Sequence, residues 1–376
     1  MNDQKLQEIF ETLIVRFHLK GKLNGYKTIK TGNINDTYIL HTVTEDGTER
    51  DYTVQRLNHY VFKNPEQVAN NAYSVTEHIE QKLRAIGQKD IRRRVVRLYR
   101  MDNGRFFYQT ADGNYWRVLS YVYNSTNVST ANDIVLYGTG IAFGEFQRYL
   151  ADFPAESLYT TIPDFHNTPK RFRDLRVSAM ADPCGRADEV QNELDYLYSM
   201  ETYVGLLDEL YRSRKLRKRV VHNDTKCNNV MFDEKTLVPL AVIDLDTVMP
   251  GYVAHDFGDA VRFACNTADE DEQDLSKVSL NLRGYMHFAS GFVGQLWGII
   301  TETELQTLPD GVLIITLELA ARFLKDYLDG DLYFKCSRKG HNLDRARCQI
   351  ALAKDISQKL PEMRKLLSEI ALQKEC

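Results

Sequence analysis

The chain has 376 residues, 43% of them hydrophobic and 27% charged, with a formal net charge of -4. This composition is ordinary for a globular protein and excludes a collagen, a coiled coil or a long disordered chain. The slightly acidic balance argues against nucleic acid as the main partner, and the length predicts two domains or lobes that need no disulfide or metal staple to fold.

The N-terminal stretch MNDQKLQEIFETL reads as the start of an amphipathic helix, and it lacks the basic-then-apolar pattern of a secretory signal. Segments 26–31, 37–42 and 50–57 are β-type, the first two flanking Gly32-Asn33-Ile34-Asn35-Asp36. Asn64 as N-cap and Pro65 in the first turn then open a helix. Val68, Ala72, Val75, Ile79 and Leu83 follow at helical spacing. Segments 95–100, 105–110 and 115–122 return to strand character, with turns at Asp102-Asn103-Gly104 and Asp112-Gly113-Asn114. After about Asn124 the pattern predicts helices over 134–151, 188–212, 275–297, 311–328 and 343–373, interrupted by a β-type insert at 220–246. The most apolar run, 311–324, is short and carries Glu318 and Arg322, so no membrane span is expected. Cys184, Cys227, Cys265, Cys336, Cys348 and Cys376 are scattered without a CxxC. They are expected to be reduced thiols in a cytoplasmic protein.

The informative stretch is 220–259, VVHNDTKCNNVMFDEKTLVPLAVIDLDTVMPGYVAHDFGD. Folded as a hairpin, its two short strands return Asp244 to the level of Asn229, with Asp224 just upstream. Three oxygen-bearing side chains then converge on one edge. Phosphoryl transfer needs a carboxylate to orient an attacking hydroxyl and hard oxygen ligands for Mg²⁺. Asp224 is assigned as base, and Asn229 and Asp244 as metal ligands. H-x-D-x(4)-N followed by a hairpin and I-D-x-D is a specific signal, because spacing and strands must agree.

These residues resemble the catalytic and metal loops of the aminoglycoside phosphotransferase and choline kinase superfamily, and within it the N-acetylhexosamine 1-kinases. The likeness is densest in HNDTKCNNVMFD, IDLDTVMPG and HDFGDAVRF. It extends to TGNINDTY, QRLNHYVFKNP and ARFLKDYLDGDLYFK, and so spans roughly 25–352. The resemblance implies an α+β, bilobal protein-kinase-like fold, with a β-rich N-lobe and a helical C-lobe that carries the catalytic β-hairpin. Residues 1–123 would bind the nucleotide, and 124–376 would carry catalysis and bind the acceptor. It implies ATP as co-substrate, Mg²⁺ as cofactor, and transfer to the anomeric hydroxyl of N-acetylglucosamine or N-acetylgalactosamine. The loop 32–38 matches the phosphate-covering loop, so Gly32, Asn33, Asn35 and Thr37, with Gln55 and Tyr121, are expected at the nucleotide. Arg322, Tyr333 and Phe263 match sugar-side positions. No nucleic-acid or membrane partner is expected, and the oligomeric state is left open by the sequence.

One departure stands out. Kinases of this fold place a Lys on the third strand, facing the phosphates, whereas this strand reads Tyr52-Thr53-Val54-Gln55-Arg56. Arg56 and Lys63 are candidates to replace it, and the missing Lys is the one motive for a non-catalytic alternative. His222 reads as a brace of the loop and Asp246 as a brace or second metal ligand. Asp256-Phe257-Gly258 spells a kinase triplet, yet Asp244 already holds the metal position, so Asp256 and Asp259 read as braces or substrate-side groups. Arg322 has an alternative as the ion-pair partner of Asp326, and Tyr333 and Phe263 have one as core residues. The basic run 212–219 reads as a solvated helix end rather than a nucleic-acid patch. An aminoglycoside, choline or homoserine acceptor is the alternative for the same chemistry.

Overall fold

The computed structural model describes residues 2–29, 35–58, 62–128 and 132–375. In chain order the first half contains α1 (Asp3–Arg16), β1 (Lys22–Ile29), β2 (Asp36–Val43), β3 (Glu49–Leu57), α2 (Pro65–Ala85), α3 (Ile91–Arg94), β4 (Tyr108–Gln109), β5 (Tyr115–Ser120) and β6 (Ser125–Asn127). The rest contains α4 (Asp133–Tyr149), α5 (Thr168–Ala181), α6 (Gln191–Ser199), α7 (Leu206–Arg212), β7 (Arg219–Val221), β8 (Val230–Asp233), β9 (Pro239–Val242), β10 (Met249–Gly251), α8 (Val253–Ala264), α9 (Leu282–Leu296), α10 (Glu302–Gln306), α11 (Leu308–Leu328) and α12 (His341–Glu375).

An antiparallel sheet in the order β1-β2-β3-β5-β4 builds the N-terminal region. Side chains alternate across a strand, so each strand offers one row to either face. Tyr38, Leu40, Tyr52, Val54, Trp116 and Val118 form the apolar row and bury Leu6, Ile9, Phe10 and Leu13 of α1. The other row, which includes Thr37, Gln55 and Arg117, faces the helical region. There α4, α8, α9, α11 and α12 share one large core. A mixed architecture with a sheet region followed by a helical region is therefore the fold, as the resemblance implied.

Local expectations differ from the structure in several places. Segment 95–100 forms no strand but a single bridge, Leu98 to Leu119, because it only extends the edge of β5 that β4 also uses. The helix expected over 188–212 is broken between α6 and α7, where Val204 turns inward and the Tyr203 hydroxyl donates to Asp310 of α11. The helix expected from 275 begins at Leu282, because Asn281 caps it by accepting from the Gly284 amide at 3.1 Å. Helices α3, α5, α8 and α10 have no counterpart among the sequence-based elements.

Candidate active site

The site grows out of the chain between β7 and α8. Strand β7 pairs antiparallel with β10, and β8 with β9 and β6. Ile243 donates its amide to the Asn229 carbonyl at 2.9 Å, which closes the hairpin and sets Asn229 beside the residue preceding Asp244. The loop 222–229 leaves β7 through Asn223, whose φ of 65° is left-handed. Its side-chain amide holds that conformation by donating to the Thr247 carbonyl at 2.8 Å. Asp244 is also left-handed, with φ of 62°. Such backbone is costly for a non-glycine residue and persists only where surrounding bonds impose it.

Asp256 supplies much of that constraint. Its carboxylate accepts the amides of His222 and Asn223, each at 2.8 Å, and Gln147 Nε2 at 2.9 Å. Thr225 donates its hydroxyl to the Asp256 carbonyl at 2.6 Å and its amide to Asp259 at 3.1 Å. Both acids of the HDFGD run thus act as braces. His222 is fully buried against Phe143 and Phe146. Its Nε2 lies 2.9 Å from the Ile243 carbonyl, and its Nδ1 accepts from the Asp224 amide at 3.3 Å. The ring thereby ties the end of the hairpin to the start of the loop.

On this scaffold Asp224 and Asn229 meet directly. Asn229 Nδ2 donates to Asp224 Oδ2 at 3.0 Å, leaving its Oδ1 free to accept or ligate. Asp224 Oδ1 takes Lys226 Nζ at 2.8 Å. Burial pulls the Lys226 amine down, but the Asp224 carboxylate outweighs it and the amine ends above its ordinary value. Asp244 is open to the cleft on its outer side. Enclosure by the surrounding protein, then the charges of Asp246 and Asp224, push its carboxyl up to about 6. A carboxylate crowded by two others, beside an amide oxygen, is a hard donor set that suits Mg²⁺. Among the described residues no three His, Cys, Asp or Glu side chains form a metal cluster.

Asp246 has both oxygens engaged. Arg117 Nη1 donates to one at 2.6 Å and Asn35 Nδ2 to the other at 2.8 Å. Arg117 also donates through Nε and Nη2 to Gln55 Oε1 at 3.0 and 2.7 Å, and Gln55 Nε2 reaches Thr37 Oγ1 at 3.1 Å. Asn35, Thr37 and Gln55 therefore come together over the DLD turn. Gly32 and Asn33 lie outside the described residues. Tyr121, just past β5, packs edge-on against Tyr123 at 5.1 Å. Of the two sequence candidates for the missing Lys, Arg56 is tied through Nε to Asp36 at 2.7 Å, and Lys63 is exposed.

On the helical side, Tyr333 and Phe263 are 73% and 42% exposed, so neither is a core residue. Arg322 is not paired with Asp326. That carboxylate instead accepts the amides of Leu332, Tyr333 and Phe334, which folds the loop back so that the Arg322 guanidinium lies 5.3 Å from the Phe334 ring. Among the described residues Arg322 has no carboxylate within ion-pair distance. Arg262, by contrast, is neutralised by Asp259 at 3.0 Å and Glu270 at 3.2 Å. Phe263 lines a cavity of about 400 Å³ with Asn266, Asp269, Glu270, Glu272 and Gln349. Close by, His166 lies 3.0 Å from Glu318, which also accepts from Thr168.

Several of these groups escaped the sequence reading. Arg117 is a lone charge in the strand Tyr115-Trp116-Arg117-Val118-Leu119, and Glu318 a lone acid in an apolar helix. Either pattern signals a buried partner, although not which one. The basic run 212–219 is structural at its end, where Arg219 donates to Glu304 at 2.7 and 2.9 Å.

The profile of the phosphotransferase enzyme family (APH) matches residues 25–276. The chain belongs to that family. Its fold is shared with an aminoglycoside phosphotransferase from Alicyclobacillus acidocaldarius (TM-score 0.60, 13% identity, 95% of each chain). It is shared too with an ethanolamine kinase from Plasmodium vivax (TM-score 0.56, 12% identity, 92% of this chain and 89% of that one). A spectinomycin phosphotransferase solved with ADP and spectinomycin gives a TM-score of 0.51 at 12% identity, over 95% of this chain and 99% of that one. Membership of that family makes the chain a phosphotransferase. Among the described residues, no helix is long and apolar enough to cross a membrane.

Proposed function

We propose that this phosphotransferase moves the γ-phosphoryl group of ATP, with Mg²⁺, onto the anomeric hydroxyl of an N-acetylhexosamine. Residues 1–123 hold the nucleotide, and residues 124–376 carry the catalytic loop and the acceptor pocket. Asp224 orients the sugar hydroxyl and accepts its proton. Lys226, 2.8 Å from Asp224 Oδ1, holds that carboxylate in place. Asn229 through Oδ1 and Asp244 through its carboxylate are the protein groups that fit Mg²⁺, which neutralises charge on the transferring phosphates. Asn35, Thr37, Gln55 and Tyr121 serve the nucleotide, in company with the Gly32-Asn33 loop. Catalysis by such a site is mostly positioning.

The observation that carries the choice of acceptor is Arg322. A guanidinium with no carboxylate in ion-pair contact, beside an exposed Tyr333, suits a neutral polyhydroxy acceptor better than an ammonium group. A second reading, an amino-alcohol or aminoglycoside acceptor, is favoured by Asp269, Glu270 and Glu272 on the cavity wall. Glu270 is already paired with Arg262, and Glu272 lies 3.6 Å from Lys277. That weakens the attraction for a cation.

The test is ADP release from ATP and Mg²⁺ over N-acetylglucosamine, N-acetylgalactosamine, glucose, galactose, homoserine, choline and kanamycin. Turnover confined to the N-acetylhexosamines, and lost in Asp224→Asn by about 10²- to 10⁴-fold, is the expected result. Turnover on choline or kanamycin alone would replace the acceptor assignment and leave the catalytic loop standing.

A further inference from the structure

Thr37, Gln55 and Arg117 are successive cross-strand partners on β2, β3 and β5. Directly opposed residues point to the same face of a sheet, so the three form one polar row above the DLD turn. Arg117 ends that row with its side chain 3% exposed, against an equally buried Asp246. Burying this pair costs desolvation that the contact alone does not clearly recover, so a guanidinium kept here asks for a use. Gln55 lies near the strand position at which the family resemblance leads one to expect a Lys. The carboxamide has no charge, but it grips Arg117 through two N–H groups. A guanidinium has five N–H donors. Gln55 takes two and Asp246 one, which leaves one on Nη1 and one on Nη2 without a protein acceptor among the described residues. Two donors on one planar group fit two phosphate oxygens.

We propose that Arg117 is the phosphate-contacting cation of the nucleotide site and stands in for the absent third-strand Lys. Gln55 orients it from the side, and Asp246 plays the part of its carboxylate partner. The inference rests on the kinase reading, since it presupposes a nucleoside polyphosphate ligand. It differs from a plain strut between the two regions in one respect: a strut is indifferent to whether the ligand carries phosphates.

The experiment compares equilibrium binding of ATP, ADP and adenosine to the full chain, by calorimetry or ligand-observed NMR, at fixed Mg²⁺ and without acceptor. Arg117→Met should weaken ADP and ATP by about 10- to 100-fold while adenosine binds as to wild type. Arg117→Lys keeps a charge against Asp246 and guards against a folding defect. It should show a smaller loss of the same kind. Gln55→Lys combined with Arg117→Met puts the cation on the neighbouring strand and should recover ADP affinity relative to Arg117→Met alone. Equal losses for adenosine and ADP, or no loss for ADP in either single variant, would overturn the assignment. Wild type that binds neither ATP nor ADP would overturn the kinase reading and this inference with it.

Discussion

Gly258 of α8 rests directly on the backbone of Gly311 in α11. A Cβ at Gly258 would stand 2.4 Å from the Gly311 carbonyl oxygen, and one at Gly311 would stand 2.1 Å from that of Ala254. The glycine of the Asp256-Phe257-Gly258 triplet is therefore a helix-crossing residue. Phe257 is its packing companion, fully buried against Tyr285, Phe288 and Phe292. Neither aims at a nucleotide. Because backbone cannot yield as a flexible side chain can, Gly258→Ala and Gly311→Ala should each cost about 1–3 kcal/mol or more. Urea denaturation checks this: the midpoint should fall with the slope unchanged.

Asp256 should behave as a brace. Asp256→Asn places an amide nitrogen where one of three donors now points, a loss of about 1.5–3 kcal/mol of charged hydrogen bonding. Turnover should fall with stability, because the bonds lost hold His222 and Asn223. The apparent Mg²⁺ requirement of the remaining activity should stay that of wild type. A large rise in the Mg²⁺ needed for half-maximal rate would instead make Asp256 a metal ligand.

The His166–Glu318 pair gives a pH-dependent term. Burial pulls His166 down, but Glu318 outweighs it and the imidazole ends above its ordinary 6.5. Glu318 is opposed by burial yet lowered by His166, Arg322 and Thr168 to about 2, from 4.5. The histidine contribution is complete below 6.5 and fades as pH rises through its folded value. The glutamate contribution is complete above 4.5 and is lost as pH falls toward 2. Glu318→Gln should therefore cost most between pH 4.5 and 6.5, about 3–5 kcal/mol, and less at pH 8 and above. Denaturation of both proteins at pH 5.5 and 8.5 measures the narrowing; a gap that widens with pH would contradict the pairing.

Of the two substrates, Arg322→Ala should affect the acceptor and not ATP. Loss of one charged contact of about 1.5–3 kcal/mol predicts a KM for the sugar raised about 10- to 100-fold, with the KM for ATP unchanged. A shift confined to ATP would move Arg322 out of the acceptor pocket. Steady-state kinetics with each substrate varied in turn separates the two.

Much of this protein is legible in its sequence. The spacing of Asp224, Asn229 and Asp244 around two short strands predicts the hairpin, and Ile243 to Asn229 is the bond that closes it. The apolar alternation of 37–42 and 50–57 gives the sheet, and Asn64-Pro65 gives the start of α2, because caps and period-two patterns are local. Segment 188–212 was less legible. Its helical periodicity is real, but Val204 and Tyr203 gain more from α11 than the turn at 200–205 gains from remaining helical.

The sequence by itself determined the chemistry on offer: three carboxylates and an amide at fixed spacing, and a third strand with Gln55 and Arg56 but no Lys. Only the tertiary structure decided who answers whom. It set Arg117 between Gln55 and Asp246, took Asp326 away from Arg322, and turned Asp256 inward onto the loop. The physical reason is that spacing along a chain constrains neighbours within a turn or a hairpin, whereas a buried charge takes the partner that packing brings to it from elsewhere. Arg117 and Asp246 are 129 residues apart in sequence and 2.6 Å apart in space.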